Sequence, residues 1–377
     1  MMMAILQHDI KKLLAYHSIE NIGIIGLGIG LGIYGTATGN TVMSAAGYAG
    51  ALLHTLNHSV FKSLLFYSAG SVIYRIHTQN IEKMGGIMKL MPATAWAFLI
   101  GSVAITGLPP LNGFISEFLI YTSIFNGIAN PEFYSLIIIF VAMLSLVLIG
   151  GLALLCFTKV FSIVFLGQPR SDYKESPAEV GSIMLLAKLL PVILIIVIGV
   201  LPVLIIKPLT LLTTSIFSLS EAIPSDTFFE PMLYLSAGAL TLLLMAGLIM
   251  LVRKVSVKRK RIISGPTWGC GYTAVNAKQQ YTATSFIQEY ASLSKPIIRT
   301  GYSSISYGDE ELFPGKRDFH TSSDDVIRSK LINRPADFIV NLLRRAAVFQ
   351  TGRLQHYVLY ALLFLLVIFL LTFLKII

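Results

Sequence analysis

Seven apolar runs divide this chain, at residues 19–37, 42–75, 92–125, 133–166, 184–217, 231–252 and 355–373. A helix needs about 20 apolar residues to cross the hydrocarbon core of a bilayer. In lipid, only helices and closed barrels satisfy their own backbone polar groups. The fold class expected is all-α: a polytopic transmembrane helix bundle with one broken helix and a surface amphipathic helix. Composition agrees, at 55% hydrophobic and 13% charged residues with a mean hydropathy of +0.74, where a soluble domain carries about 25% charged residues. Cys156 lies in an apolar run and Cys270 in a loop, which supports neither a disulfide framework nor a Cys-rich metal site. The amino-terminal MMMAILQHDIKKLLAYHS lacks a small-residue cleavage site behind an apolar core, so no cleavable signal is expected.

A net charge of +10 suggests nucleic acid until it is located. Residues 253–355 hold 17 Lys/Arg and 8 Asp/Glu, which is nearly the whole excess. No basic groove with interleaved aromatics accompanies it, so no nucleic acid is expected as a partner. Topology accounts for the charge instead. With 253–355 cytoplasmic and the broken run counted as one crossing, the inside ends hold Lys11, Lys12, Arg75, Lys83, Lys89, Arg170 and Lys174. The outside connectors hold Glu132, Glu221, Asp226 and Glu230, and every connector obeys the positive-inside rule. The amino terminus is expected inside and the carboxyl terminus outside. Domain expectations follow: a bundle over 1–252, a cytoplasmic connector over 253–355 whose Pro335–Arg353 stretch is an amphipathic helix, and a last transmembrane helix over 356–377. The polar Tyr302–Asp325 stretch is expected to be a loop.

The first run is glycine-rich, with Gly23, Gly26, Gly28, Gly30, Gly32 and Gly35 permitting close helix approach in lipid. A short connector makes it the antiparallel neighbour of the second run, where His54, His58 and Lys62 sit near the middle at i, i+4 and i+8. On a helix they share one stripe that drifts about 40° per step over about 12 Å. A lysine at that depth costs at least ~2.5 kcal/mol, and an ion or proton path is the usual reason to meet that cost. Snorkelling of Lys62 and carbonyl-bonded histidines is the competing reading.

The third run is interrupted by Gly107-Leu-Pro-Pro-Leu-Asn-Gly113. Pro109 and Pro110 remove donors while Gly107 and Gly113 permit reversal. Such a break survives at membrane depth only when buried in protein or facing a water-filled cavity. Glu117 is expected in the first turn of the resumed helix, where the dipole favours a carboxylate; a re-entrant loop with Glu117 at the interface is the alternative. Lys159 lies two turns from the end of its run, so path residue and snorkelling anchor both stay open. Lys188 and Lys207 read as interface anchors, and Pro191 and Pro202 predict kinks.

These residues resemble the antiporter-like proton-pumping subunits shared by respiratory complex I, Mrp cation/proton antiporters and membrane-bound hydrogenases. The resemblance is carried by DIKKLLAYHSIENIGI (Asp9–Ile24), HTLNHSVFKSLLFYSAGSVIY (His54–Tyr74), NIEKMGG (Asn80–Gly86), GLPPLNGFISEF (Gly107–Phe118) and VFLGQPR (Val164–Arg170). TWGCGY (Thr267–Tyr272) and QYTATSF point to the hydrogenase-4/formate hydrogenlyase branch. The resemblance implies a hydrophilic axis across the membrane middle, with Lys62 as its proton-carrying lysine and His54 and His58 as relay partners. Glu117 matches a position in the second broken helix of that family, while Lys159 receives no firm assignment. Family members carry two inverted repeats, and this chain starts almost at the second; it is expected to be a truncated fragment, a split gene product or a mis-started reading frame. The function implied is proton translocation as a membrane subunit of a redox-driven complex in the inner (plasma) membrane, beside other membrane subunits of a hydrogenase or complex I type assembly. No Cys cluster or phosphate-cradling loop occurs, so no cofactor, no metal and no redox site of its own are expected. A cation/proton antiporter, against which TWGCGY argues, and a non-transporting fragment are the alternatives.

Overall fold

The structure, a computed structural model, describes residues 1–128, 133–171, 173, 177–217, 226–258, 271, 277–294, 298–303, 320–324, 326 and 328–375. The expectations for Glu132, Lys174, Glu221, Cys270 and the TWGCGY motif apart from Gly271 fall outside these residues. Two compact units form, Met1–Ser294 and Lys295–Ile377.

The first unit starts with a single helical turn, α1 (Met2–Ile5). Asp9 then caps α2 (Ile10–Ala37), its carboxylate accepting from the N–H groups of Lys11 and Lys12 at 2.8 and 3.0 Å. The helix therefore begins nine residues before the apolar run at Ile19, because the cap and not hydropathy sets its start. Asn40 caps α3 (Thr41–Ile76), accepting from the N–H of Met43. Only Thr38–Asn40 separates the two helices, and they pack as the expected neighbours. Of the six glycines, Gly28, Gly32 and Gly35 lie against α3, where Gly47 fits between the backbones of Gly28 and Gly32. Gly23, Gly26 and Gly30 face open space, so close approach uses one glycine face.

Next come α4 (Ile87–Leu90), α5 (Pro92–Ile105) and α6 (Asn112–Gly127). The expected break is present over Thr106–Leu111, with Gly107 in the left-handed region (φ +65°) and a cis bond between Pro109 and Pro110. Asn112 and Gly113 already belong to α6, which places Glu117 in its second turn rather than its first. α7 (Phe133–Phe165) is continuous. α8 (Ser182–Val200) runs through Pro191, whereas Pro202 does more than kink: it separates α8 from α9 (Val203–Phe217). This second break lies beside the first, since a Cβ on Gly199 would strike the carbonyl of Pro110 and the backbone of Leu111. α10 (Asp226–Lys258) closes the membrane part of the unit.

α3 is the central helix, packed against α2, α5, α6, α8 and α9. One apolar cluster joins Ala45, Ala49 and Leu53 of α3 to Ile115 and Leu119 of α6, Ile198 of α8 and Leu209 of α9. Another joins Ile24 and Leu31 of α2 to Ile120 and Ile124 of α6 and Leu146 of α7.

At one end of the bundle the connectors interlock. The N–H of Ile10 donates to Gln79 O and that of Ile81 to His8 O, and Gly86 N–H reaches Leu166 O at 2.9 Å. Glu82 receives the N–H groups of Ala283 and Thr284, at 3.1 and 2.8 Å, and the Thr284 hydroxyl at 2.9 Å, where α11 (Ala283–Phe286) begins. Gln280 and Gln168 exchange two hydrogen bonds, and Arg170 donates to Tyr281 O. The QYTATSF motif is thus a clamp over the end of α7, followed by α12 (Gln288–Ser294). At the other end Asn40 donates to Asn126 O at 3.0 Å and Tyr48 stacks on Phe217.

The second unit contains β1 (Arg299–Ser303) paired antiparallel with β2 (His320–Asp324), a π-helical turn over Arg328–Asn333, α13 (Arg334–Ala346) and α14 (Leu354–Phe373). The hairpin takes its strand residues partly from the stretch expected to be loop, where Tyr302 faces Thr321 across the ladder, residue types that favour strands. Among the described residues five helices are long and apolar enough to cross a membrane: α2, α7, α8, α10 over 227–258, and α14.

Candidate functional site

A string of polar side chains runs through the apolar interior of the first unit, and His54 sits at its middle. Its ring, 1% exposed, lies 2.9 Å by Nδ1 from Ser116 Oγ of α6 and 3.1 Å by Nε2 from Asn21 Oδ1 of α2. Asn21 spends its Nδ2 on His17 O at 2.8 Å, so Oδ1 is an acceptor and His54 Nε2 carries a hydrogen. The Ser116 hydroxyl also lies 2.9 Å from Gly113 O, so its hydrogen has two acceptors to choose between, that carbonyl and Nδ1. When His54 is neutral, Ser116 must turn its hydrogen to Nδ1 instead. Nδ1 is therefore the acceptor nitrogen of neutral His54.

Asn57, one turn on from His54, donates from Nδ2 to Asn112 O at 2.7 Å and to Ser116 Oγ at 3.0 Å; Asn112 Nδ2 returns a bond to Asn57 Oδ1 at 3.1 Å. The carbonyls next to the break are thus taken up by polar neighbours, Asn112 O by Asn57 and Gly113 O by Ser116. Lys62 is 6% exposed and donates to Leu14 O of α2, with the Phe66 ring 5.7 Å from its nitrogen. It does not snorkel. His58 stands apart from its two stripe neighbours: it is half-buried, edge-on to Phe61, and its Nε2 is buried with no hydrogen-bond partner among the described residues. The drift of the stripe turns His54 toward α6 and Lys62 toward α2, leaving His58 between them.

Sequence reasoning passed over a second pair. His17 and Glu20, on α2, are buried, with His17 Nδ1 2.6 Å from Glu20 Oε2. Setting the first span at Ile19 left His17 outside the membrane; the Asp9 cap was the signal that it lies inside. Glu117 packs its carboxylate against the α-carbon of Gly107, where a Cβ would strike it. Gly107 thus needs both its positive φ and its missing side chain.

Lys159 is fully buried and donates to the carbonyls of Ile5 and, at 3.0 Å, Gln7 in the α1–α2 turn. The anchor alternative drops out here, because the side chain turns inward to main-chain acceptors. Beside it, burial and then the Lys159 charge hold the His8 imidazole below its usual range, against the opposing pull of Glu82, 3.6 Å away. Lys188 also departs from expectation: it is 2% exposed and donates to Thr94 Oγ1 at 2.7 Å. The reason is the loop before α8, which brings Glu179 onto the start of α5 to accept from Ala93 N–H, Thr94 N–H and the Thr94 hydroxyl. Burial pushes the Glu179 carboxyl up, but the Thr94 and Val180 hydrogen bonds and the Lys188 charge together hold it below the usual carboxylate range. Lys207 is exposed, its nitrogen 5.2 Å from the centre of the Phe229 ring. Among the described residues no group of three His, Cys, Asp or Glu is placed to hold a metal ion.

Residues 1–150 match the family described as "NADH:quinone oxidoreductase/Mrp antiporter, TM". Hydrogenase-4 component B of Escherichia coli (strain K12) is 45% identical over 188 residues, 50% of this chain and 28% of that protein. Formate hydrogenlyase subunit 3 of the same organism is 36% identical over 305 residues, 78% of this chain and 47% of that protein. The chain therefore spans less than half the length of either relative. In the membrane-bound sulfane sulfur reductase, an archaeal respiratory membrane complex, one chain superposes with a TM-score of 0.59 at 20% identity, covering 97% of this chain and 53% of its own length; this supports the fold. These matches lead to one conclusion: residues 1–150 of the chain carry the pattern of the transmembrane family of NADH:quinone oxidoreductases and Mrp antiporters.

Proposed function

We propose that the chain moves protons across a membrane as one subunit of a redox-driven complex of the hydrogenase or formate hydrogenlyase type. The observation that carries this reading is the buried succession Lys62, Glu20, His17, Asn21, His54, Ser116 and Asn57, ionisable and hydrogen-bonding groups held between apolar helices. Groups of this kind at membrane depth are costly and mark proton paths. Lys62 is the central proton carrier, and His54 passes protons through Nδ1 to Ser116 at the break. Glu117, packed against Gly107, is the carboxylate at the break, and Lys159 is a further lysine of the same path. Coulomb coupling among buried charges is strong in a low dielectric, so moving one proton changes the occupancy of the next site. Electron transfer belongs to other subunits, which are the proposed partners along with the bilayer. The amino terminus and 253–355 face the cytoplasm, the carboxyl terminus faces outward, and the membrane is the inner (plasma) membrane.

The test is Lys62→Ala in the assembled complex, reading pH-gradient formation in inverted vesicles. Translocation is expected to be lost with membrane insertion intact, because no apolar surface is uncovered. Lys62→Arg is expected to fail as well, since a guanidinium stays protonated. Normal pumping by Lys62→Ala would refute the reading. A proton flux that requires sodium would move the chain to the cation/proton antiporters instead.

A further inference from the structure

We propose that His17, paired with Glu20, is the proton relay between Lys62 on α3 and Lys159 on α7, and that this branch opens to solvent at His8 and Glu82. The proposal rests on the proton-translocation reading above and extends it with a route to one face.

The placement of the groups carries it. α2 lies between α3 and α7 and presents polar atoms to both. On one side Lys62 donates to Leu14 O, less than one turn before His17. On the other, the His17 ring lies 4.5 Å from that of Phe157 and so packs against α7, the helix that carries Lys159. Lys159 in turn holds the carbonyls of Ile5 and Gln7, on either side of the turn that leads to His8. His8 and Glu82 stand 3.6 Å apart, with side chains 21% and 25% exposed. The buried lysine of α7 thereby adjoins a solvent-reaching His8–Glu82 contact.

His17 has the chemistry of a relay. Nδ1 is committed to Glu20 at 2.6 Å, while Nε2 is buried and has no hydrogen-bond partner among the described residues. A buried polar atom without a partner is costly, so a site with no role would be expected to satisfy it. With Nδ1–H donating to the carboxylate, Nε2 is a bare lone pair that accepts a proton. The product is an imidazolium–glutamate pair with no net charge, which makes protonation tolerable at this depth. The proton then leaves to Lys159 or returns to Lys62 by a water-mediated step, and the pair is restored. The ionisable groups that bear on the pair are Lys62 of α3, Glu117 of α6, Cys156 of α7 and the amino-terminal ammonium, and Cys156 also feels Lys159.

The experiment compares Lys62→Ala, His17→Gln, Glu20→Gln and Lys159→Gln in the full membrane complex, with inverted vesicles normalised to complex content. His17→Gln keeps a hydrogen bond to Glu20 but cannot carry a proton. It and Glu20→Gln are expected to slow translocation at least about tenfold, since a positioned proton donor contributes 10²-fold or more, and to flatten its pH profile. Lys159→Gln is expected to do the same. Where a variant lowers complex content, Glu20→Asp keeps the carboxylate: activity per complex is expected to survive with a shifted pH profile. Full translocation by His17→Gln and Glu20→Gln, or an unshifted profile in Glu20→Asp, overturns the proposal if Lys62→Ala is inactive. If Lys62→Ala itself pumps normally, the underlying reading falls, and this one with it.

Discussion

Thr94 serves two charged groups at once, accepting from Lys188 and donating to Glu179 at 2.5 Å. Thr94→Val keeps the shape and removes both bonds, leaving Lys188 buried without its acceptor. The variant is expected to lose about 1–3 kcal/mol, read as a lower Tm in detergent. The pH dependence has a definite sign. The Glu179 carboxyl sits below its usual range in the folded chain, so its stabilisation is present above the ordinary glutamate pKa of about 4.3. It is lost as pH falls through the folded value. The gap in Tm between wild type and variant is therefore expected to narrow in acid, and a constant gap would show that Glu179 contributes nothing. None of this was legible in the sequence. Lys188 lies in an apolar run near its end, and the residue that makes it interior, Glu179, arrives from a loop whose fold no local pattern announces.

Among the helices, the decisive contacts are between backbones. Gly47 lies where a Cβ would meet Gly28 O and Gly32 N, whereas Gly26 of the neighbouring helix faces open space. Gly47→Ala is expected to destabilise the α2–α3 pair and lower Tm by several degrees; Gly26→Ala is expected to leave it unchanged or slightly higher, since alanine is about 1 kcal/mol the better helix former. Equal effects of the two would refute a packing role. Gly113→Ala sets a methyl against Ala104 O, across the break, and is expected to reduce the amount of folded protein recovered from membranes. The break itself was readable from Gly107, Pro109, Pro110 and Gly113, because proline and glycine act locally. So was the approach of α2 to α3, through their short connector. His17, Glu20 and Asn21 were missed because hydropathy places a span at its apolar stretch, while the cap at Asp9 starts the helix earlier. Lys159 stayed ambiguous because its acceptors, Ile5 O and Gln7 O, are main-chain atoms that any sequence would provide.

Taken as a molecule, the first unit has a strongly sided architecture. DIKK, NIEKMGG, VFLGQPR and QYTATSF come from four distant places in the chain and meet at one end, around Glu82, Gln168 and Arg170. In the topology proposed above, that end faces the cytoplasm. With Cys270→Ser as background and Cys156 buried, a cysteine at exposed Lys83 is expected to react with an impermeant maleimide only from the cytoplasmic side. One at Thr38 is expected to react only from the outside, and the reverse result would invert the topology.

The clamp on Glu82 also sets a timetable for biosynthesis. Its partner Ala283 follows 201 residues later, which at 5–20 residues per second is roughly 10–40 s of translation. By the end of that interval α2 to α9 are available to pack, while Glu82 and Gln168 still lack these late partners. Sealing this face is then a late act of assembly, performed by a segment made only after α10. A ribosome that stalls before residue 277 would release helices able to insert, but with one end left unlatched.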